Sequence, residues 1–181
     1  EVVEITVGTD EGSELVFDDP HYRVRRDRVR LPSGRVVDDY HVGVLEDYAL
    51  VVALTAGGDV VLTRQWKQGV RRATLELPGG KLDEGETAVE AAARELREET
   101  GFVAPRLELL ASLDVDTSKA ANRGHVFLGR EAQQLHPPEA HEMEAPEVVL
   151  VPAHGVPGLV ERGEVRAAAS VAGLLLALAR A

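Results

Sequence analysis

The rhythm of apolar and polar positions changes several times along this chain. Val2, Ile5 and Val7 open it in strand-like alternation, and the acidic stretch "GTDEGSE" that follows reads as a turn. Residues 21–31 alternate in part and carry five arginines, Arg23 to Arg30, while Pro32-Ser33-Gly34 predicts a hairpin turn after them. Residues 48–55 and 60–66 are nearly continuous apolar runs on either side of Gly57-Gly58, the signature of an antiparallel pair. A short strand over 73–78 stops at Pro78.

The period then becomes helical. Thr87 and Glu90 make a capping box, Val89, Ala92, Ala93 and Leu96 recur at i, i+3, i+4 and i+7, and Gly101 supplies the stop. One amphipathic helix is therefore expected over 88–100. Strands are expected again at 106–115, 125–129 and 147–152. Residues 131–147, with Pro137, Pro138, Pro146 and five glutamates, read as a loop. A short helix near 155–162 and a longer one over 165–180 close the chain. Strands on both sides of one helix, with helices at the end, predict an α/β (α+β) fold. Its mixed sheet would lie between helices in α/β/α layers. One domain is expected over 1–181, with N-terminal antiparallel strands in 1–45 and a core in 46–181.

Composition narrows the function classes. The 181 residues hold 31 acidic and 20 basic side chains, a formal charge of −11. That balance argues against a nucleic-acid partner, which needs a basic face, and suits the collection of divalent cations. The absence of cysteine excludes disulfides, thiolate metal sites and a cysteine nucleophile. No apolar run is long enough to span a bilayer and no signal segment is expected, so a cytoplasmic location is.

The chemistry concentrates in residues 80–102, "GKLDEGETAVEAAARELREETGF". Glu95, Glu98 and Glu99 stand at i, i+3 and i+4. Glu95 and Glu99 fall side by side next to the apolar stripe, with Glu98 further round toward solvent. Like charges at this spacing repel by a few tenths of a kcal/mol, at about the level of one surface pair. A hard divalent cation converts that repulsion into coordination. Glycines at 79 and 80 lead a strand end into the same place and let backbone approach a metal or phosphate closely. The ordinary alternative for three acidic residues on a helix is a solvated face.

This segment resembles the Nudix box, G-x5-E-x7-R-E-U-x-E-E-x-G-U, where U is apolar. Gly80, Glu86, Arg94, Glu95, Leu96, Glu98, Glu99, Gly101 and Phe102 fill every fixed position. The segments "VRLPSGRVVDDYHV", "VVLTRQWKQGV" and "LELPGGKLDEGE" extend the resemblance to the ADP-ribose pyrophosphatase-like branch. The resemblance implies a Nudix fold and Mg²⁺- or Mn²⁺-dependent hydrolysis of a nucleoside diphosphate linked to another group. It implies Glu95 and Glu99 as metal ligands, Glu98 as a third ligand or a partner through water, and the Gly79 carbonyl completing the shell. Glu86 and Arg94 would support them. The general base would be a loop glutamate after the box, Glu144 first and Glu142 second, with Glu139 and Glu147 in the same stretch; His141 is expected to be merely exposed.

On the substrate side, "RQWK" at 64–67 is similar to the branch's R-Q-aromatic-R, with Lys67 in place of arginine and expected to face the diphosphate. Trp66 is expected to pack in the core, or else to stack on a base. Tyr22 and Tyr40 lie in strands that in this branch bind the base from a partner subunit, which implies a homodimer. The run Arg23–Arg30 would gather diphosphate, or be a solvated face or dimer rim. The branch's proline past the box is missing from "LDVDTSKAANRGHVFL", which keeps Ser118, Asn122, Arg123, His125 and Phe127. ADP-ribose or another nucleotide sugar is thus the first substrate expected. The alternatives are a dinucleotide polyphosphate or FAD, an RNA 5′-end, or a non-catalytic nucleotide-sensing module.

Overall fold

A computed structural model describes residues 8–139 and 146–180. They divide into two compact units: residues up to Glu46 with Asp114–Asn122, and Asp47–Leu113 with Arg123 onward.

The first unit is a three-stranded antiparallel meander of β1 (Thr9–Asp19), β2 (Tyr22–Arg30) and β3 (Val36–Val44). The Asp19 carboxylate caps the first turn by accepting the His21 N–H at 2.9 Å. Gly34, at φ 84°, closes the second by donating to the Leu31 carbonyl at 2.8 Å. The acidic stretch expected as a turn is instead extended, because its carboxylates find cross-strand arginines. Glu11 takes Arg28 and Arg30, and Glu14 takes Arg26. Arg23 and Arg25 pair with Glu46 and Asp27, so the arginine run is an ion-paired face within this unit. Residues 115–122 join it, with Gly43 exchanging hydrogen bonds with Lys119 and Ala121. The strand expected over Val2, Ile5 and Val7 lies outside the described residues.

The second unit holds β4 (Tyr48–Thr55), β5 (Asp59–Lys67), β6 (Arg72–Glu76), β7 (Gly79–Lys81), α1 (Ala88–Thr100), β8 (Phe102–Val103), most of β9 (Leu107–Asp114), β10 (Arg123–Gln134), β11 (Glu147–Pro152), α2 (Val156–Glu161) and α3 (Ala168–Leu178). The sheet runs β11-β5-β4-β10-β8, with β6 on β5, β7 on β4 and β9 on β10. β4 and β10 are parallel and β4 and β5 antiparallel, which makes the sheet mixed. Alternate residues of β5 feed two cores. Val61 packs with Ala91, Ala92 and Leu96 of α1, while Val60 and Leu62 pack with Val165 and Leu174 on the α3 side. The expected layers, a sheet between helices, are thus present.

Three local expectations change. Val89 and Ala93 are exposed, and α1 buries Ala91, Ala92, Leu96, Glu99 and Thr100 instead. The buried face is turned toward the carboxylates, because a chain of alanines leaves the choice of face to its larger neighbours. The loop expected from 131 begins as strand, since β10 continues through Glu131, at φ 57°, to pair Gln133 and Gln134 with Val103 and Phe102. Trp66 is 56% exposed and donates from its indole N–H to Gln68 at 3.1 Å, so it is not a core residue.

Candidate active site

Pro78-Gly79-Gly80 brings β7 against β4 and under α1. The Pro78 carbonyl accepts the Val51 N–H at 3.0 Å, and Gly79 and Gly80 sit opposite Leu50 and Ala49. Space dictates both glycines: a Cβ on Gly79 would be driven into the Ala49 carbonyl, and one on Gly80 into the Glu95 carboxylate. The box glycine is therefore the backbone surface on which Glu95 rests. At the other end of α1, Gly101 adopts φ 73°, and a Cβ there would collide with the His136 carbonyl.

Glu99 is the most buried carboxylate of the set, 8% exposed. Its oxygens accept the Gly79 N–H at 2.9 Å and, more weakly, the Gln65 amide at 3.4 Å. Burial pushes its carboxyl up to about 7, against the pull of the Gly79 N–H and the nearby Lys67 ammonium. Burial also raises Glu95, although Arg94 pulls it back down.

Arg94 is the organising cation. It forks onto Glu86 with two bonds of 2.9 Å, reaches Glu95 at 2.7 Å and Glu98 at 3.3 Å, and donates to the Lys81 carbonyl at 3.0 Å. That fork, helped by the Asp83 N–H, holds Glu86 down at about 2. The same carboxylates, Glu86 first, keep Arg94 charged beyond the ordinary arginine range. Glu98 does not turn to solvent as expected. It is held between Arg94 and Arg97, the latter at 2.9 Å, and its carbonyl accepts the Glu139 N–H at 2.8 Å.

Among the described residues, no three carboxylate or imidazole groups already stand together as a metal cage. The reason is Arg94, which draws Glu95 and Glu98 onto itself. The donor set nevertheless fits a hard divalent cation: all its side-chain donors are carboxylate oxygens, and Glu99 is a buried carboxyl that two neutral donors and one lysine satisfy only in part. Glu95, Glu98, Glu99 and the Gly79 backbone are the residues that would hold it.

Lys67 ends β5 on the face that carries Gln65 and Thr63 and lies close enough to Glu99 to act on its charge. Glu142, Glu144 and His141 lie outside the described residues. Tyr22 begins β2, is about half exposed and belongs to the first unit. Tyr40 is engaged within that unit, donating to the Ser118 carbonyl at 2.7 Å beneath the Lys119 ammonium. Sequence reasoning missed Gln65 and Arg97. The two-residue period of β5 could have found the first, because whatever face presents Lys67 also presents Gln65 and Thr63. Thr63 is fully buried with its hydroxyl unpartnered, and Glu76 stands opposite it in register.

A carboxylate-lined helix clasped by a glycine strand in a mixed sheet carries the oxygen donors that a hard divalent cation takes. The NUDIX domain matches residues 45–171, and the nucleoside diphosphate sugar hydrolase N-terminal domain matches residues 11–42. The chain belongs to the Nudix family. It is 33% identical over 167 residues to an ADP-ribose pyrophosphatase of Mycobacterium tuberculosis, covering 90% of this chain and 79% of the relative. It is 35% identical over 141 residues to an ADP-ribose pyrophosphatase of Bacillus subtilis, covering 76% and 74%. A crystal structure of an ADP compounds hydrolase superposes with a TM-score of 0.83 at 22% identity, covering 98% of this chain and 96% of the other, and shares the fold.

Proposed function

We propose that this chain is a divalent-cation-dependent pyrophosphatase that hydrolyses the diphosphate of a nucleoside diphosphate sugar, with ADP-ribose as the first substrate. The observation that carries the reading is Glu99, a buried carboxyl that accepts the Gly79 N–H of the glycine strand, one helical turn from Glu95. A fold does not keep such a group for its own stability. The two relatives named ADP-ribose pyrophosphatase, matched over 79% and 74% of their own length, support the substrate class.

The residues divide the work. Mg²⁺ or Mn²⁺, when bound, neutralises diphosphate oxygens and acidifies the attacking water. Glu95, Glu99 and the Gly79 carbonyl would hold the cation, with Glu98 as a third ligand or a partner through water. Gly79 N–H and Gln65 fix the Glu99 rotamer, and Arg94 with Glu86 locks the loop onto α1. Lys67 faces the diphosphate, and Tyr22 of the partner subunit stacks on the base. Glu144, or failing it Glu142, takes the proton from water. The chain acts as a single domain over 1–181 and a cytoplasmic homodimer, its N-terminal strands forming the dimer contact. Leu15, Val16 and Phe17, each about half exposed on β1, support that assignment.

Phosphate release, coupled to a phosphatase, tests the reading on a panel of nucleotide sugars, dinucleotides, nucleoside triphosphates and triphosphorylated RNA, each with Mg²⁺, Mn²⁺ or EDTA. Cation-dependent turnover is expected to be highest on ADP-ribose. Preference for RNA ends or dinucleotides would overturn the substrate, and nucleotide binding without turnover would overturn the activity.

A further inference from the structure

Asp47, Ser112 and His125 form a polar cluster that the proposed hydrolysis leaves unused, all within the second unit. Ser112 lies on β9, His125 on β10, and Asp47 just before β4. The Ser112 hydroxyl is 2.9 Å from His125 Nδ1, and His125 Nε2 is 3.2 Å from Asp47 Oδ2. The other Asp47 oxygen accepts the Arg123 N–H at 2.7 Å, and the Asp47 carbonyl accepts the Leu82 N–H at 2.9 Å. His125 stands in register with Ala49, and Ala49 with Gly80. The cluster is thus on the sheet face that bears α1, two strands along from Gly80. None of its three side chains belongs to the set of carboxylates that Arg94 gathers.

The sequence of the three groups fixes where the proton sits. A carboxylate accepts and does not donate, so the neutral imidazole keeps its proton on Nε2, toward Asp47. Nδ1 then presents a lone pair, and the Ser112 hydroxyl donates to it. Backbone bonds at both ends of Asp47 hold its carboxylate, which in turn orients the ring. Nucleophile, base and orienter therefore stand in hydrogen-bond order, the arrangement that activates a serine. Ser112 is exposed, while the His125 side chain is only 17% exposed, so the hydroxyl is open to a reactant and the base is sheltered from water. Among the described residues β9 pairs with β10 alone, and its outer edge leaves backbone N–H groups to meet an oxygen that gains charge. Holding two strands together requires no such chain of groups, since an apolar or threonine pair across the strands does as much.

We propose that Ser112 is a nucleophilic site at which the chain takes up an acyl group from an activated ester. Ser112 Oγ attacks the carbonyl carbon while its proton passes to His125 Nδ1. The bond from that carbon to the leaving oxygen breaks, and the leaving oxygen takes the proton from Nδ1. An acyl ester of Ser112 and a free alcohol result, and nothing is oxidised or reduced. The test is reaction with p-nitrophenyl acetate at pH 8 in EDTA, with acetylated peptides mapped by mass spectrometry over time. Wild type and Glu99→Gln are expected to gain an acetyl group on Ser112 at the same rate, and Ser112→Ala to lose it. His125→Gln is expected to slow the acetylation of Ser112 about a hundredfold or more. Asp47→Asn keeps the Arg123 bond through its amide oxygen but turns an N–H toward Nε2, which moves the ring proton to Nδ1. It is expected to slow the reaction about tenfold or more. Should His125→Gln fail to fold, Asp47→Asn carries the test. No acetyl group on Ser112 of wild type overturns the proposal, as does the wild-type rate in His125→Gln, or in Asp47→Asn where that variant carries the test. A rate that falls in Glu99→Gln also overturns it, by placing the chemistry at the carboxylate helix. Failure of the proposed hydrolysis would leave this labelling unchanged, so the two readings fall separately.

Discussion

Replacing Glu99 by glutamine is expected to stabilise the cation-free protein while destroying its activity. Glu99 is 8% exposed, and burial moves its carboxyl from an ordinary 4.5 to about 7. Between those values the folded protein holds a proton that the unfolded chain has released. The stability from this group is therefore full below about 4.5 and lost as pH rises through about 7. At about 1.4 kcal/mol per pH unit, the interval amounts to about 3 kcal/mol by pH 8. Glutamine never ionises and escapes that loss, but it weakens the bond from the Gly79 N–H, at a cost of about 1 kcal/mol. The variant should thus be about 2 kcal/mol more stable than wild type at pH 8 in EDTA, and no more stable near pH 4.5. For a chain of this size that is about 4–8 °C in Tm. Urea or thermal unfolding at the two pH values measures the difference. Adding Mn²⁺ at pH 8 should stabilise wild type and leave the variant unmoved. A Glu99→Gln difference that does not change between pH 4.5 and pH 8 would refute the claim that burial raises this carboxyl.

Arg94→Ala removes the fork shared by Glu86, Glu95 and Glu98 and leaves Glu95 partly buried without its cation. A loss of about 2–4 kcal/mol in urea unfolding is expected, with Arg94→Lys recovering less than half of it. Gly80→Ala would push a methyl group into the Glu95 carboxylate. Mn²⁺ affinity, read by electron paramagnetic resonance, should fall about tenfold or more, while circular dichroism stays that of the folded protein. Trp66, the only tryptophan and more than half exposed, should give the emission of a hydrated indole and be fully accessible to acrylamide. Shielding comparable to that of a core indole would contradict its place outside the core.

Local signals were legible where one physical cause dominated. Thr87 and Glu90 close both halves of their capping box, Gly101 ends α1 in the left-handed region, and the apolar runs beside Gly57-Gly58 pair antiparallel. The box carboxylates were legible as a set, but their surroundings were not. Alanines at 91, 92 and 93 are equally tolerant of burial, so periodicity could not choose the face, and Val89 and Ala93 were placed inside when they are outside. Glu98 read as solvent-facing because helical angles say nothing of Arg97 or of the chain that returns at Glu139. The acidic start of β1 read as a turn because its arginine partners arrive from another strand. Gln65 is polar in a strand that otherwise reads as core, and its meaning appears only once α1 places Glu99 above it.

If the Glu95–Glu99 face and the glycine strand form a cation-dependent site for cleaving a nucleotide diphosphate, phosphorus NMR of ADP-ribose mixed with the protein will show it. With Mg²⁺ or Mn²⁺, the diphosphate resonances should give way to those of two phosphomonoesters, AMP and ribose 5-phosphate. EDTA, Glu95→Gln and Glu99→Gln should each leave the diphosphate intact for at least a hundredfold longer, on the order of the effect of losing one electrostatic contact in the transition state. Equal cleavage by the folded Glu95→Gln and Glu99→Gln variants, or by wild type in EDTA, would mean that this face does not carry a cation-dependent reaction.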